Sequence, residues 1–276
     1  MGECRYCGQS AGLFRKVHDE CEKKYLHGLA EMEEIATKFV LEGNDYQLLP
    51  GKLTEIAKNS FIDPSQSNEF IVKGWENAVD KFLDDGILTE TEQTKLDDYQ
   101  NYFKLTQEML DKEGYYQKVI KNGILQQVLE GKIPDRINIK GMNPFNFQKG
   151  EILVWAFQDV SYYEQKTKRQ FSGSYGGFSI KVAKGLYYRT GAFKGHPVET
   201  TDMVYMDTGI LGITNKHLYY SSSIKNFRVK YDKIVTFMPF EDGIGIQKDT
   251  ANAKPQVFKN NDGWFTYNLV TNLAKL

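Results

Sequence analysis

All three cysteines of the chain fall near its start, in the stretch CRYCGQSAGLFRKVHDEC. Cys4 and Cys7 form a C-x2-C pair, and His18 and Cys21 form an H-x2-C pair ten residues further on. A tetrahedral zinc ion needs four soft or borderline donors converging on one point, and a two-residue spacer lets each pair reach the ion from one tight turn. Gly8 follows Cys7, where such a knuckle needs left-handed backbone. The competing reading is a redox C-x-x-C beside an incidental histidine. A set that uses every cysteine together with a correctly spaced histidine favours one structural zinc per chain. Four protein ligands leave no open position for water or substrate.

The second pair leads into DECEKKYLHGLAEMEEIATKF, which predicts a helix with Asp19 and Glu20 in its first turn. A knuckle followed by two ligands at a helix start resembles treble-clef and zinc-ribbon modules, over residues 1–25. A segment this short buries no core of its own, so metal would supply its folding energy. The remaining histidines, His27, His196 and His217, read as ordinary polar residues.

Other chemistry has no matching pattern. The sequence contains no G-x-x-x-x-G-K-[ST], no G-x-S-x-G and no H-E-x-x-H. GSYGG at 173–177 lacks the lysine of a phosphate cradle and reads as a turn. Asp202, Asp207, Glu241 and Asp242 are accounted for as turn carboxylates. The expectation is a protein that is not an enzyme. One stretch stands out by charge: Lys166, Lys168, Arg169, Lys181, Lys184, Arg189 and Lys194 follow one another with no Asp or Glu between them. Such a run suits an anionic surface or an acidic partner, against the alternative of a solvated basic face.

The 276 residues have room for two domains and a small appendage. The formal net charge of −1 argues against a nucleic-acid binder held by global charge. It hides an asymmetry: residues 1–140 carry 18 basic and 25 acidic side chains, while 141–276 carry 17 and 11. The first half is therefore acidic and the second basic, which supports separate units. No apolar run is long enough to span a bilayer, since ILVWAF at 152–157 is the longest plain one. No export signal is visible, and Tyr6 stands where a myristoylation signal needs Ser or Thr. Clustered cysteines without an export signal suit the reducing cytoplasm.

From 26 to 140 the pattern is helical. Phe70, Trp75, Val79, Phe82 and Leu83 recur at helical spacing, and Leu96, Tyr99, Phe103 and Leu110 continue after a turn. The join DKFLDDGILTETEQTKL has Asp85 and Glu92 at EF-hand spacing, but Lys81 and Leu83 fall where calcium needs oxygen ligands. The join resembles a helix–turn–helix unit of TerB-like helical domains. Its local chemistry favours Thr89 as a helix cap, with Glu92 completing a capping box.

Residues 145–276 read as about seven short strands and one closing helix. Turns are expected at Asp207–Gly209, Asn215–Lys216 and Asp242–Gly243. In the closing DGWFTYNLVTNLAKL, Asp262 is the expected N-cap, and Phe265, Leu269, Leu273 and Leu276 the buried stripe. GILGITNKHLYYSSSIKNFRVKYDKIVTFMPFEDGIGIQ resembles the pattern of bacterial PH-like and GRAM-like domains, most closely over Gly212–Tyr220. The resemblance implies a bent seven-stranded β-sandwich or barrel whose open end a C-terminal helix plugs. Thr214, Asn215 and Lys216 would then be a hairpin turn, and Lys184–Thr201 an extra hairpin. His217 stands where the pattern more often has arginine, a departure that weakens transfer of ligand binding. The fold class expected is α+β: zinc knuckle, helical middle, PH-like β domain. The expected role is a cytoplasmic interaction or regulatory protein that binds a protein partner or an anionic surface. Nucleic-acid binding through the zinc module and the 166–194 stretch is the alternative.

Overall fold

The protein is described by a computed structural model that covers residues 2–12, 14–84, 86–137, 139, 143–175, 178–183, 186–190, 193–251 and 253–276. For the strand residues between 167 and 201 it describes the backbone alone. Two compact units result, Met1–Glu130 and Gly131–Leu276.

In the first unit, a two-stranded ribbon of β1 (Gly2–Glu3) and β2 (Ser10–Gly12) precedes six helices. These are α1 (Asp19–Glu42), α2 (Leu49–Asn59), α3 (Ser67–Phe82), α4 (Glu90–Phe103), α5 (Gln107–Leu110) and α6 (Tyr115–Leu129). The predicted apolar faces point inward: Phe70, Trp75, Val79, Phe82, Leu96, Tyr99 and Leu110 are buried together with Met32, Val40, Leu49 and Leu53. The two largest buried rings of this unit also donate to backbone carbonyls of neighbouring helices. Trp75 Nε1 donates to Leu96 O at 3.1 Å, and the Tyr99 hydroxyl donates to Ile71 O at 3.1 Å. Helices α1 and α3 meet at Gly74, where an added Cβ would lie 2.6 Å from Ala36 Cβ, so glycine sets that approach. The turn before α4 is the expected capping box. Glu92 N donates to Thr89 Oγ1 and Thr89 N donates to Glu92 Oε2. Asp85, the other candidate calcium ligand of that join, lies outside the described residues.

The second unit is built on an antiparallel sheet of seven strands in the order β8-β7-β6-β3-β11-β10-β9. In chain order its members are β3 (Leu153–Tyr175), β6 (Phe193–Thr214), β7 (His217–Ser222), β8 (Asn226–Lys230), β9 (Ile234–Phe240), β10 (Gly243–Lys248) and β11 (Gln256–Lys259). A separate hairpin, β4 (Phe178–Ala183) with β5 (Leu186–Thr190), lies in sequence between β3 and β6. The last helix is α7 (Gly263–Leu273), capped by Asp262, whose carboxylate accepts from Phe265 N. Phe265, Leu269 and Leu273 are buried, and Phe265 packs edge-on against Trp155 at 5.2 Å. Leu276 is 60% exposed and lies past the helix end, so it leaves the predicted stripe.

The barrel alternative needs correction, while the seven antiparallel strands and the closing helix are present. Among the described residues no ladder joins β8 to β9, so the sheet is not closed into a barrel. Only Tyr231–Lys233, one 3-10 turn, links these two edge strands. A three-residue link spans about 10 Å at most, so the sheet must curl until its edges approach at that corner. The expected turn at Asp207–Gly209 is also absent, because β6 runs straight through it. The Asp207 carboxylate serves a different turn: it accepts from Ile224 N and from Ser223 Oγ in the β7–β8 connection. The turn at 215–216 stands as expected, and the one expected at Asp242–Gly243 falls one residue earlier, at 241–242, because Gly243 opens β10.

Candidate metal centre

The four predicted ligands converge. One donor atom each from Cys4, Cys7, His18 and Cys21 lies within 4.8 Å of all the others, a group that could hold a metal ion. His18 Nδ1 is 3.4 Å from Cys7 Sγ and 3.7 Å from Cys21 Sγ. These separations suit neighbouring corners of a tetrahedron with metal–ligand bonds of about 2.0–2.3 Å.

Local backbone chemistry explains the convergence. Gly8 N donates to Cys4 O at 2.8 Å and Cys4 N to Gln9 O at 2.8 Å, which closes the knuckle around the first pair. Gly8 takes φ +74°, the left-handed geometry the sequence required. His18 is the N-cap of α1 and Cys21 lies in its first turn, where the positive end of the helix favours a thiolate. His18 Nε2 sits 3.1 Å from Ser10 O on β2. Donation to that carbonyl fixes the tautomer with a lone pair on Nδ1, the nitrogen that faces the sulfurs.

Cys4 and Cys21 are shifted in opposite directions. Burial acts to raise Cys4, but hydrogen bonds from the backbone of Cys7, His18 and Tyr6 outweigh it and bring the pKa down to about 6. Burial first, and then the Cys7 and Cys4 sulfurs, push Cys21 up to about 11. The sulfurs of Cys4 and Cys7 thus add to the burial that disfavours a thiolate at Cys21, and a divalent cation would offset that repulsion.

The aromatic seat of this knuckle was not legible from spacing. Tyr6, between the first two cysteines, stacks on Tyr25 of α1 with ring centroids 4.8 Å apart, and Phe61 follows at 6.3 Å. Arg5 lies 4.7 Å over the Tyr6 ring. The cluster is therefore pinned to α1 by stacking as well as by its ligands.

Sequence reading also missed a buried polar network in the second unit. The Glu151 side chain is fully buried and His217 nearly so. Glu151 Oε1 is 2.6 Å from His217 Nδ1 and accepts from Thr214 Oγ1 at 3.0 Å. Its Oε2 accepts from the Tyr219 hydroxyl at 2.6 Å and from Gln148 N. Burial acts to raise this carboxyl, and the hydrogen bonds outweigh it, leaving the pKa below the usual glutamate value. With both oxygens engaged, the pair pins the 143–152 segment to the β6–β7 turn. His217 is thus buried in a hydrogen-bond network rather than an ordinary polar position.

The basic stretch is only partly described. Lys166 is exposed, and its Cα pairs in register with Asp202. Lys168 and Arg169 lie opposite Thr200 and Glu199, Lys181 opposite Tyr187, Arg189 opposite Ser179, and Lys194 opposite Ser174. The side chains of these five residues, like the whole of Lys184, lie outside the described residues.

Fold and site together define an α+β protein of two units, the first carrying a Cys3His cluster able to hold a metal ion. Compared with known proteins, the chain matches no family model and no curated protein sequence. No described helix is long and apolar enough to cross a membrane.

Proposed function

We propose that the chain is a non-enzymatic cytoplasmic binding protein whose Cys3His centre holds one structural zinc ion. Its second unit, of bacterial PH-like or GRAM-like type, meets a protein partner or an anionic surface. The observation that carries this reading is the reach of β3 and β6. Strand β11 pairs with β3 only over Ser161–Glu164, and β7 with β6 only over Gly209–Ile213. From Gln165 to Tyr175, β3 pairs with β6 alone, a two-stranded ribbon about 35 Å long at about 3.3 Å per residue. The cationic stretch 166–194 occupies that ribbon and the β4–β5 hairpin beyond it. Within the ribbon Glu199 and Asp202 of β6 stand opposite Arg169 and Lys166, so the excess of positive charge lies on the β3 strand and the hairpin, and a ribbon with that excess is suited to an external anion. The saturated Glu151–His217 pair supports a binding rather than a catalytic role, since neither oxygen of the carboxylate is left for a substrate.

Nucleic acid is the second reading, favoured by the same geometry because a two-stranded ribbon fits a duplex major groove. One triple variant, Lys166→Glu with Lys168→Glu and Arg169→Glu, tests both. Each cation near an anionic bilayer contributes about 1 kcal/mol, so the variant should lose sedimentation with phosphatidylglycerol vesicles while its circular dichroism is unchanged. Loss of duplex DNA binding alone selects the second reading. Equal, negligible binding of both proteins to vesicles and DNA rejects an anionic surface. Zinc is tested by metal analysis of protein prepared without chelator, with about one ion per chain expected.

A further inference from the structure

The two edges of the seven-stranded sheet differ in their backbone chemistry. Strand β9 carries Pro239, which has no N–H to offer a further strand. Strand β8, NFRVK, has no proline. Its hydrogen-bond phase is fixed at both ends: Ser222 N donates to Lys225 O at 2.9 Å, and Tyr231 N to Lys216 O at 3.2 Å. Hydrogen-bonded pairs alternate along an antiparallel ladder. With the register Tyr219↔Arg228 and His217↔Lys230, the N–H and C=O groups of Asn226, Arg228 and Lys230 therefore point away from β7. Among the described residues no strand pairs with them.

A groove adjoins this open edge. It has a volume of about 260 Å³ and is lined by Pro144, Phe145, Tyr219 and Arg228 among others, while the ring of Phe227, the neighbouring residue of β8, packs on the other face against Tyr162 and Tyr220. Phe145 is seated over Gly212, where a Cβ would meet its ring at 2.7 Å, so the aromatic wall is fixed. The space suits one apolar side chain of a chain laid along β8. From 225 to 230 the edge carries Lys225, Arg228 and Lys230 and no carboxylate. Lys225 and Lys230 are held by Glu164 and Asp232, and Arg228, which hydrogen-bonds the neutral Tyr219 hydroxyl and faces no carboxylate of its own strand, is the cation lining the groove.

We propose that β8 is a docking strand for an extended acidic peptide, which adds to the sheet edge and places one apolar side chain in the groove between Phe145 and Arg228. Main-chain bonds to Asn226, Arg228 and Lys230 supply affinity, and the groove and the guanidinium select the side chains. The proposal rests on the reading of the second unit as a binding module and names the class of protein partner it takes.

The test uses the full chain. Peptides selected on it from a random dodecapeptide display library should pair acidic residues with an aromatic or aliphatic one. In fluorescence anisotropy, Arg228→Pro removes an outward N–H, leaves the β7 ladder intact and should weaken the best peptide about tenfold or more. Arg228→Glu should weaken it further. Hydrogen exchange on the unaltered protein gives a readout independent of any variant: the amides of Asn226, Arg228 and Lys230 should slow when peptide binds. Peptides that bind equally to Arg228→Pro, or that leave those amides exchanging as before, overturn the proposal, as does a selection that yields no binder. A dimer that Arg228→Pro dissociates also overturns it, because a second copy would then cover the edge. The Lys166, Lys168 and Arg169 triple variant should keep its peptide affinity, so failure of the anionic-surface reading and failure of this one are separable.

Discussion

The N-terminal knuckle and the C-terminal sheet hold their strands by opposite means. Strands β1 and β2 are two and three residues long and bury almost nothing, so their shape depends on four side chains aimed at one point. The sheet buries Tyr162, Tyr220, Phe258 and Phe265 completely or nearly so, and its aromatic rings touch one another across strands. A fold fixed by ligands is lost when the ion is removed, whereas a fold fixed by burial is lost when a ring is removed. Each insult should therefore spare the other region.

The largest effect is expected from chelation. Structural zinc contributes on the order of 10 kcal/mol of apparent binding energy in small modules, so metal removal or Cys7→Ser should unfold residues 2–25. Hydrogen exchange would show the loss there, with the amides of 153–164 unchanged; loss of protection in both regions would break the contrast. Next comes Phe265→Ala, which removes the ring packed against Trp155. A cost of about 3–5 kcal/mol to the second unit is expected in urea unfolding. Metal content should not change.

A smaller effect concerns Glu151. Its folded-state pKa is depressed, so the stability it contributes is present above the unfolded value of about 4.3 and is lost as pH falls through the folded one. Acid titration of Glu151→Gln should therefore lack part of the loss seen in the unaltered protein. At neutral pH the same variant should cost about 1–3 kcal/mol, because Gln cannot accept from four donors as the carboxylate does. The smallest effect is Thr89→Ala, which removes one half of the capping box and should lower helical stability by about 1 kcal/mol.

Legibility in the sequence followed the distance between interacting residues. The four donors of the candidate metal group lie within eighteen consecutive positions, and their spacing alone marked them as one set. The apolar faces of α3 and α4 were legible for the same reason, since helical periodicity is local. The Glu151–His217 pair joins residues 66 apart, and nothing near either one marks the other. The Asp207 error has a similar origin. A carboxylate two residues before glycine reads as a turn, but its partners Ser223 and Ile224 come from the β7–β8 connection, one strand further along the chain. The missing closure between β8 and β9 could not be read from strand count, because seven strands fit an open sheet as well as a barrel.

The place of β11 has a consequence for the order in which the molecule is made. It lies in the middle of the sheet, against β3, and Tyr162 hydrogen-bonds Gln256 across a separation of 94 residues. During synthesis β3, β6, β7 and β8 can assemble as a meander while one flank of β3 still waits for its neighbour. The helical unit will already have left the ribosome by then, since domains fold as units from the N-terminal side. Pairings of such long separation are slow to form. The interval between emergence of Trp155 and arrival of Phe258 and Phe265 is therefore when the nascent chain has most need of a chaperone.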